Sequence, residues 1–401
     1  MAAAIAAAKA GEDVLLLEKN EKLGKKIFIT GKGRCNVTNA CEKDAFFAHV
    51  VSNPKFLYSA YSNFDCHDLM TLIEENGTKL KTERGNRVFP VSDHSYDIID
   101  ALKNALKSAK VEVKLNTEVK SLITEKDDEE HPVIKGVLLK NGERIDAKRV
   151  IVATGGFSYQ TTGSTGDGYR FAEEAGHTIK KIKPALVPME SKAEWVTKLQ
   201  GLSLKNTELS LYVDEKLKYK ERGEMLFTHF GISGPMVLSA SSVLAGIENY
   251  EKAYVSLDLK PALSVEEFDK RLQRELADGN KKELKNILNN IYPSSFAKLI
   301  CELSDVEEYK KCCEVGKEER KRLLKNTKDL RIPISSVRGF EEAIITHGGI
   351  NVKEINPKTM ESKKVSGLFF AGEVLDVDAF TGGFNLQIAF STGYLAGQSK
   401  E

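Results

Sequence analysis

The stretch that most constrains this chain lies near its C-terminus. Gly367-Leu-Phe-Phe-Ala-Gly-Glu-Val-Leu-Asp376 is followed by Thr381-Gly-Gly-Phe-Asn-Leu-Gln-Ile-Ala-Phe-Ser-Thr-Gly393. An apolar strand here runs into Ala371-Gly372-Glu373, and a glycine pair then opens a helix that starts at Asn385-Leu-Gln-Ile. A strand that ends on glycine beside a helix N-terminus lets backbone N–H groups approach an anionic or polar ligand closely. Such an element belongs to an α/β fold with a ligand held at its strand ends.

The opposite end of the chain complements it. Met1 to Gly11 reads as an alanine-rich helix, with Lys9 in its last turn and Gly11 at its C-terminal stop. Asp13-Val-Leu-Leu-Leu-Glu18 then reads as a buried parallel strand ending in an acid. Helix, tight turn, apolar strand and terminal acid form the second half of a βαβ dinucleotide unit, whose acid binds ribose hydroxyls. The Gly-x-Gly-x-x-Gly turn of such a unit stands about 20 residues ahead of that acid. Counted back from Glu18, it falls just before Met1, and the expectation is a chain whose start has been placed too late.

Between these ends the texture changes several times. Thr30-Gly31-Lys-Gly33-Arg34-Cys35-Asn36 reads as a ligand-facing loop, its small residues allowing close approach to a flat ring. Arg34 and Asn36 can hydrogen-bond polar edges or phosphate. Residues 54–79 and 95–109 read as helical, and 111–115 and 118–123 as strands. Asn141-Gly142 marks a hairpin. Arg149-Val-Ile-Val-Ala-Thr154-Gly155-Gly156 is a second apolar strand with a small-residue end, and Thr165-Gly-Asp-Gly-Tyr169 opens a further helix. From about 186 the chain becomes strand-rich (202–213, 224–230 and 254–259). Residues 264–329 are charged and helical.

Composition narrows the partners. Lys and Arg number 59 against 58 Asp and Glu, for a net charge of +1, so no global field recruits nucleic acid or an anionic membrane. The expected partner is a small molecule. No apolar run reaches the roughly 18 residues a membrane span needs. The six cysteines match no zinc spacing, which fits reduced thiols in a cytoplasmic protein.

These blocks together resemble the BaiN-like family of NAD(P)/FAD-dependent flavoproteins, which includes bile-acid reductases and aminoacetone oxidases. The matching residues are Val14-Leu-Leu-Leu-Glu-Lys-Asn, Leu23-Gly-Lys-Lys, Thr30 to Asn39, Ala153-Thr-Gly-Gly156, Thr165 to Tyr169, Phe227-Thr-His-Phe-Gly-Ile-Ser-Gly-Pro235, and Ala371 to Asp376 through Thr381 to Gln387. The departure from the family pattern is the absent glycine-rich turn. The resemblance implies a Rossmann-like FAD domain (1–185 and 337–401), an inserted β-barrel (186–262 and 326–336) and a small helical domain (263–325). It also implies site roles. Glu18 and Lys19 would hold the adenosine ribose, and Val119 would offer a backbone contact to adenine. Ala153, Thr154 and Gly155 would flank the ribose and pyrophosphate. Gly31, Gly33, Arg34, Cys35 and Asn36 would border the flavin. Gly372, Glu373, Asp376, Gly383, Asn385, Leu386, Gln387 and Ile388 would close over the isoalloxazine and phosphates.

By the same resemblance the activity is reduction of an enone C=C bond with NADH or NADPH as donor, on 3-oxo-Δ4 or Δ4,6 bile-acid steroids. A flavin-dependent amine oxidase releasing hydrogen peroxide uses the same cofactor residues. A non-catalytic flavin- or nucleotide-binding scaffold that partners RNA or protein is the third reading. Among side chains that could move a proton, His229 in the Phe227–Pro235 block is the one candidate singled out. Trp195 and Tyr159 read as core residues rather than as the lining of a substrate cleft.

Overall fold

The computed structural model describes residues 1–398 and divides into two compact units, Met1–Ala185 with the chain from Phe340 onward, and Leu186–Gly339. The first unit is therefore built from both chain ends.

Two parallel strand pairs organise the first unit. Leu15–Leu17 pairs with Glu112–Lys114, and Val150–Val152 pairs with Leu368–Phe370. Parallel strands are covered on both faces, which is why they read as continuous Leu, Val, Ile and Phe. Phe370 and Leu368 are fully buried. An antiparallel meander of Val119–Lys126, Pro132–Leu139 and Arg144–Asp146 turns at the expected Asn141-Gly142. Ile179–Ala185 pairs antiparallel with Ile345–Ile350.

The N-terminal helix, Ala2–Lys9, packs against the C-terminal helix, Phe384–Gln398. Ala2 to Ala7 are all buried, so this helix uses alanine for small size as much as for propensity. The contact is close. A Cβ on Gly397 would overlap the carbonyl oxygen of Ala3 and stand 2.8 Å from the Ala6 Cβ.

The second unit is a seven-stranded sheet with a helical layer. Its strand order is Leu330–Pro333, Ala253–Asp258, Ser203–Val213, Lys216–Phe227, Gly231–Ser233, Met189–Glu190 and Ser336–Val337. The inserted barrel thus takes the form of an antiparallel sheet whose first and last strands show no mutual ladder among the described residues. Helices Val265–Asp278, Leu284–Leu288, Ser294–Leu303 and Lys317–Lys328 share one apolar core with that sheet.

Several local expectations are corrected. The helical reading of 54–79 resolves into Pro54–Leu57, Tyr58–Asn63 and Cys66–Glu75. Asp65 breaks it, because its side chain accepts the N–H groups of His67 and Asp68 and so starts a new helix. The strand read at 224–230 is the end of the longer Lys216–Phe227, whose exposed lysines hid its alternation. The helix Pro235–Leu244 carries no amphipathic stripe, since it is buried nearly all round; Pro235 at its first turn was the available signal.

Candidate cofactor site

Three parallel strands of the first unit lead into candidate residues: Val152 into Ala153 and Phe370 into Ala371, side by side in one pair, and Leu17 into Glu18 in the other pair. Ligands of open parallel sheets bind outside such carboxyl ends.

At the first strand end, the Glu18 carboxylate accepts the Asn20 backbone N–H at 2.9 Å and its side-chain amide at 2.8 Å. Lys19 reaches across to the loop before helix Asp167–Glu174, donating to Thr165 Oγ1 and pairing with Asp167, both at 2.6 Å. Asn20 also donates to the Thr162 carbonyl. Ala153 and Thr154 stand exposed at the second strand end, with Gly155 half-buried beside the Ser164 hydroxyl. Val119 opens the meander strand paired with Leu139, partly buried on the core.

At the third strand end sits a cluster that sequence reasoning did not assemble. Glu373 pairs with Lys26 Nζ at 2.6 Å and accepts from Ser158 Oγ and the Thr346 N–H, both at 2.8 Å. Lys26 also donates to Ser158 Oγ at 2.7 Å. Residues 26, 158, 346 and 373 come from four separate segments, and no spacing in the chain announces their meeting.

The Thr30–Gly33 turn and the residues after it form the next wall. Arg34 is held by Glu83 and Asp93, both at 2.5 Å, and its guanidinium lies 4.2 Å from the Phe89 ring centroid. These bonds raise the Arg34 pKa and lower those of the two carboxylates. Arg34 is thus a tied element of the wall. Burial pushes the Cys35 thiol up to about 12, which makes it a packing residue and not a redox thiol. Asn36 Oδ1 is buried without a hydrogen-bond partner in the chain.

The C-terminal block closes the site. The Gly372 N–H donates to Thr392 Oγ1 at 3.0 Å, and Gly383 lies directly on the Thr38 backbone. Asn385 clamps the preceding loop by accepting from the Ala379 N–H at 2.9 Å and donating to its carbonyl at 2.7 Å. Leu386 and Ile388 pack into two different apolar clusters. Gln387 is fully buried and acts as a structural hub, joined to Thr38 Oγ1 at 2.6 Å, Ser391 Oγ at 2.9 Å and the Phe64 carbonyl at 3.1 Å. A Gln387→Leu protein keeps the volume but strands these partners, and is expected to lose about 2–3 kcal/mol in urea unfolding.

Beyond Glu373, Asn53 donates to the Asp376 carbonyl and carboxylate at 2.7 and 3.1 Å. Burial pushes the Asp376 pKa up. His347 Nδ1 lies 3.1 Å from Asp378 Oδ1, a second pairing that the sequence reading missed. Its signal was Thr346-His347-Gly-Gly349. His229 falls in the second unit, exposed at a turn, with its ring edge-on to Phe230 at 4.9 Å. Trp195 packs near Phe227 in that unit's core.

The donor set fits an extended dinucleotide such as FAD. It offers an acid at one strand end, small exposed residues at the next, a glycine at the third packed on Ala389 and Thr392 of the C-terminal helix, and an unpartnered buried carbonyl at Asn36. Among the described residues no cluster of His, Cys, Asp or Glu could hold a metal ion, and no helix is long and apolar enough to cross a membrane.

A Rossmann-type protein with this arrangement has relatives. The chain belongs to the HI0933-like protein Rossmann domain family, whose model matches residues 1–399. It is 31% identical over 401 residues to the 3-dehydro-bile acid delta(4,6)-reductase of Clostridium scindens, covering 99% of this chain and 95% of the relative. It is 33% identical over 390 residues to the ribosomal RNA dihydrouridine synthase of Haemophilus influenzae, covering 96% and 92%. The protein of that name from Escherichia coli is 30% identical, covering 98% and 93%. Among solved structures, a 3-ketosteroid delta1-dehydrogenase from Sterolibacterium denitrificans aligns with a TM-score of 0.50 at 14% identity, covering 99% of this chain and 96% of that one. At that identity the likeness speaks for the fold alone.

Proposed function

We propose that this chain is an FAD-dependent oxidoreductase that reduces a C=C bond conjugated with a carbonyl, using NADH or NADPH as electron donor. The observation that supports the reading is that Glu18, Ala153–Gly155 and Gly372–Glu373 each follow the carboxyl end of a parallel strand, with the segment after Glu18 tied to the 162–167 loop and to Glu373 through Asn20, Lys19 and Lys26. FAD supplies the hydride chemistry when bound, and the protein supplies binding, orientation and electrostatics. Glu18 would hold ribose hydroxyls, and the strand ends at 153–155 and 372 would admit the pyrophosphate. Asn36 and the start of helix Phe384–Gln398 would meet the polar edge of the flavin ring.

The relatives' names offer two substrates with the same reactive unit. A steroid 3-oxo-Δ4,6 system and the uracil C5=C6 bond both place an alkene in conjugation with a carbonyl. Uracil takes hydride at the β-carbon and a proton at the α-carbon, and the linear 3-oxo-Δ4,6 dienone takes hydride at the β- or δ-carbon and a proton at the carbon beside it. The uridine reading comes first, because relatives from two organisms carry it, including the one at 33% identity. The steroid reading is supported by the relative matched over 99% of this chain. A net charge of +1 speaks only against a global attractive field, and local contacts with RNA are compatible with it.

The test loads the protein with FAD under anaerobic conditions and adds NADH or NADPH. Bleaching of the flavin absorbance is expected. Unmodified ribosomal RNA or a 3-oxo-Δ4,6 steroid should then restore it, with dihydrouridine or the reduced steroid detected by mass spectrometry. Bleaching by an amine with peroxide release, and by neither nucleotide, would replace the reductase by an oxidase. Protein that remains colourless after reconstitution would end the flavin reading.

A further inference from the structure

We infer that His347 is the proton donor of the reductive reaction, held in place by Asp378. The inference rests on the reductase reading above and names the acid that the reading leaves open.

The geometry begins with position. His347 lies on strand Ile345–Ile350, immediately after Thr346, whose N–H holds the Glu373 carboxylate. The same strand runs along the 372–378 loop. The Asp376 N–H donates to the Ile350 carbonyl at 3.0 Å, and Ile350 bridges to Leu375. His347 thus lies on a strand that borders the candidate cofactor site, with its side chain on the face opposite Thr346, toward Asp378 and Ser52.

The second element is orientation. Nδ1 of His347 is 3.1 Å from Asp378 Oδ1, which leaves Nε2 for a ligand. The Asp378 side chain is 1% exposed and the His347 side chain 21%, so the carboxylate is sealed behind an imidazole that still reaches the surface. A buried carboxylate that orients a histidine and favours its charged form is the usual support of an acid–base imidazole. Asp378 Oδ2 is buried with no hydrogen-bond partner. A half-satisfied buried carboxylate is costly, and an apolar residue would serve packing better. Its retention makes sense if it balances an imidazolium.

The third element is charge. The groups facing His347 are Asp378 and Asp376 on the following loop, Lys183 directly across the strand pair, and the Ser52 hydroxyl 3.5 Å from Nδ1. The Asp378 hydrogen bond outweighs burial and Lys183, and raises the His347 pKa from its usual value. The protonated form is thereby extended toward neutral pH. By linkage, the pair stabilises the fold fully below about pH 6.5 and loses that contribution as pH rises through the raised value.

Bound FAD would supply the hydride that forms one C–H bond as the C=C π bond breaks, and NADH or NADPH would restore its two electrons. His347 Nε2 gives its proton to the adjacent carbon, forming the second C–H bond, so that the substrate gains two electrons and two hydrogens. Solvent then reprotonates the imidazole.

The test follows the two half-reactions separately in FAD-loaded protein by anaerobic stopped flow. A His347→Gln variant is expected to match wild type in flavin content and in flavin reduction by dithionite. Its reoxidation by the conjugated substrate should be slower by about 100-fold or more, the usual share of a general acid. In wild type that reoxidation rate should fall about tenfold per pH unit above the His347 midpoint, and the variant should lack this fall. An Asp378→Asn variant should shift the midpoint to lower pH, in the rate and in the imidazole resonance of His347 followed by NMR. A His347→Gln protein that reoxidises at the wild-type rate with the wild-type pH profile overturns the assignment while the reductase reading stands. An imidazole whose midpoint ignores Asp378→Asn overturns the positioning role. Wild-type protein that takes up FAD but reduces neither substrate class overturns the reductase reading, and the donor assignment with it.

Discussion

A Gly383→Ala protein is expected to unfold far below the wild type and to bind flavin poorly. Gly383 has φ 97°, a backbone conformation that disfavours any Cβ. A Cβ here would overlap the carbonyl carbon and oxygen of Thr38 and stand 2.9 Å from its Cα. Those atoms are backbone and cannot rotate away. Thr38 is in turn fixed by the buried Gln387 hub, so relief for one contact disturbs another. Overpacking against rigid surroundings costs about 1–3 kcal/mol and the strained φ adds about 1–2 kcal/mol more, for a loss of roughly 2–5 kcal/mol. Gly33→Ala is the control. Gly33 also has a positive φ, 84°, but nothing lies within 4 Å of its added Cβ. Only the conformational strain of about 1–2 kcal/mol should remain. Thermal melting of the two proteins separates the contributions. Equal losses would mean that the Thr38 contact is absent.

Removing the Glu373 carboxylate is the second large effect. Glu373→Ala takes the carboxylate from Lys26 Nζ, Ser158 Oγ and the Thr346 N–H; Lys26 and Ser158 keep their mutual bond, but Lys26 loses its counter-charge and the Thr346 N–H its acceptor. Both ionic side chains are mostly covered, at 18% exposure for Glu373 and 25% for Lys26. Breaking a well-buried pair costs about 3–5 kcal/mol, and the residual exposure here brings the expectation to about 2–3 kcal/mol. The double variant Lys26→Met with Glu373→Leu should recover part of that loss, because neither charge then remains unpaired. The coupling energy from wild type, Lys26→Met, Glu373→Leu and the double variant in denaturant unfolding measures the pair itself. Additive losses would show that the contact contributes nothing. The effect reaches beyond stability, since this cluster joins the segment after Glu18 to the third strand end and fixes the middle of the candidate cofactor site.

How much of this was legible beforehand depends on the range of the interaction. Leu15–Leu17, Val150–Val152 and Leu368–Phe370 were visible as apolar runs because strands covered on both faces need continuous apolar residues. The hairpin at Asn141-Gly142 was visible because its turn chemistry is local. Glu18 and Gly372 were visible because a strand end leaves a residue-type mark. Helix Pro235–Leu244 was not, since burial on all sides erased the periodicity that betrays a surface helix. Arg34 shows what residue type leaves out: its partners Glu83 and Asp93 stand 49 and 59 residues away and leave no mark beside it in the chain.

Residue order alone was enough for an α/β protein whose two ends share one unit, with an acid and small residues at its strand termini and a helix opened by a glycine pair. These are consequences of backbone geometry and solvent, which act over a few residues and stamp residue types directly. Which charges meet was settled in three dimensions: Lys26 with Glu373, Arg34 with its two acids, and His347 with Asp378. Side-chain pairing across tens to hundreds of residues is selected by packing and desolvation at one point in space, and it imposes no period or spacing along the chain.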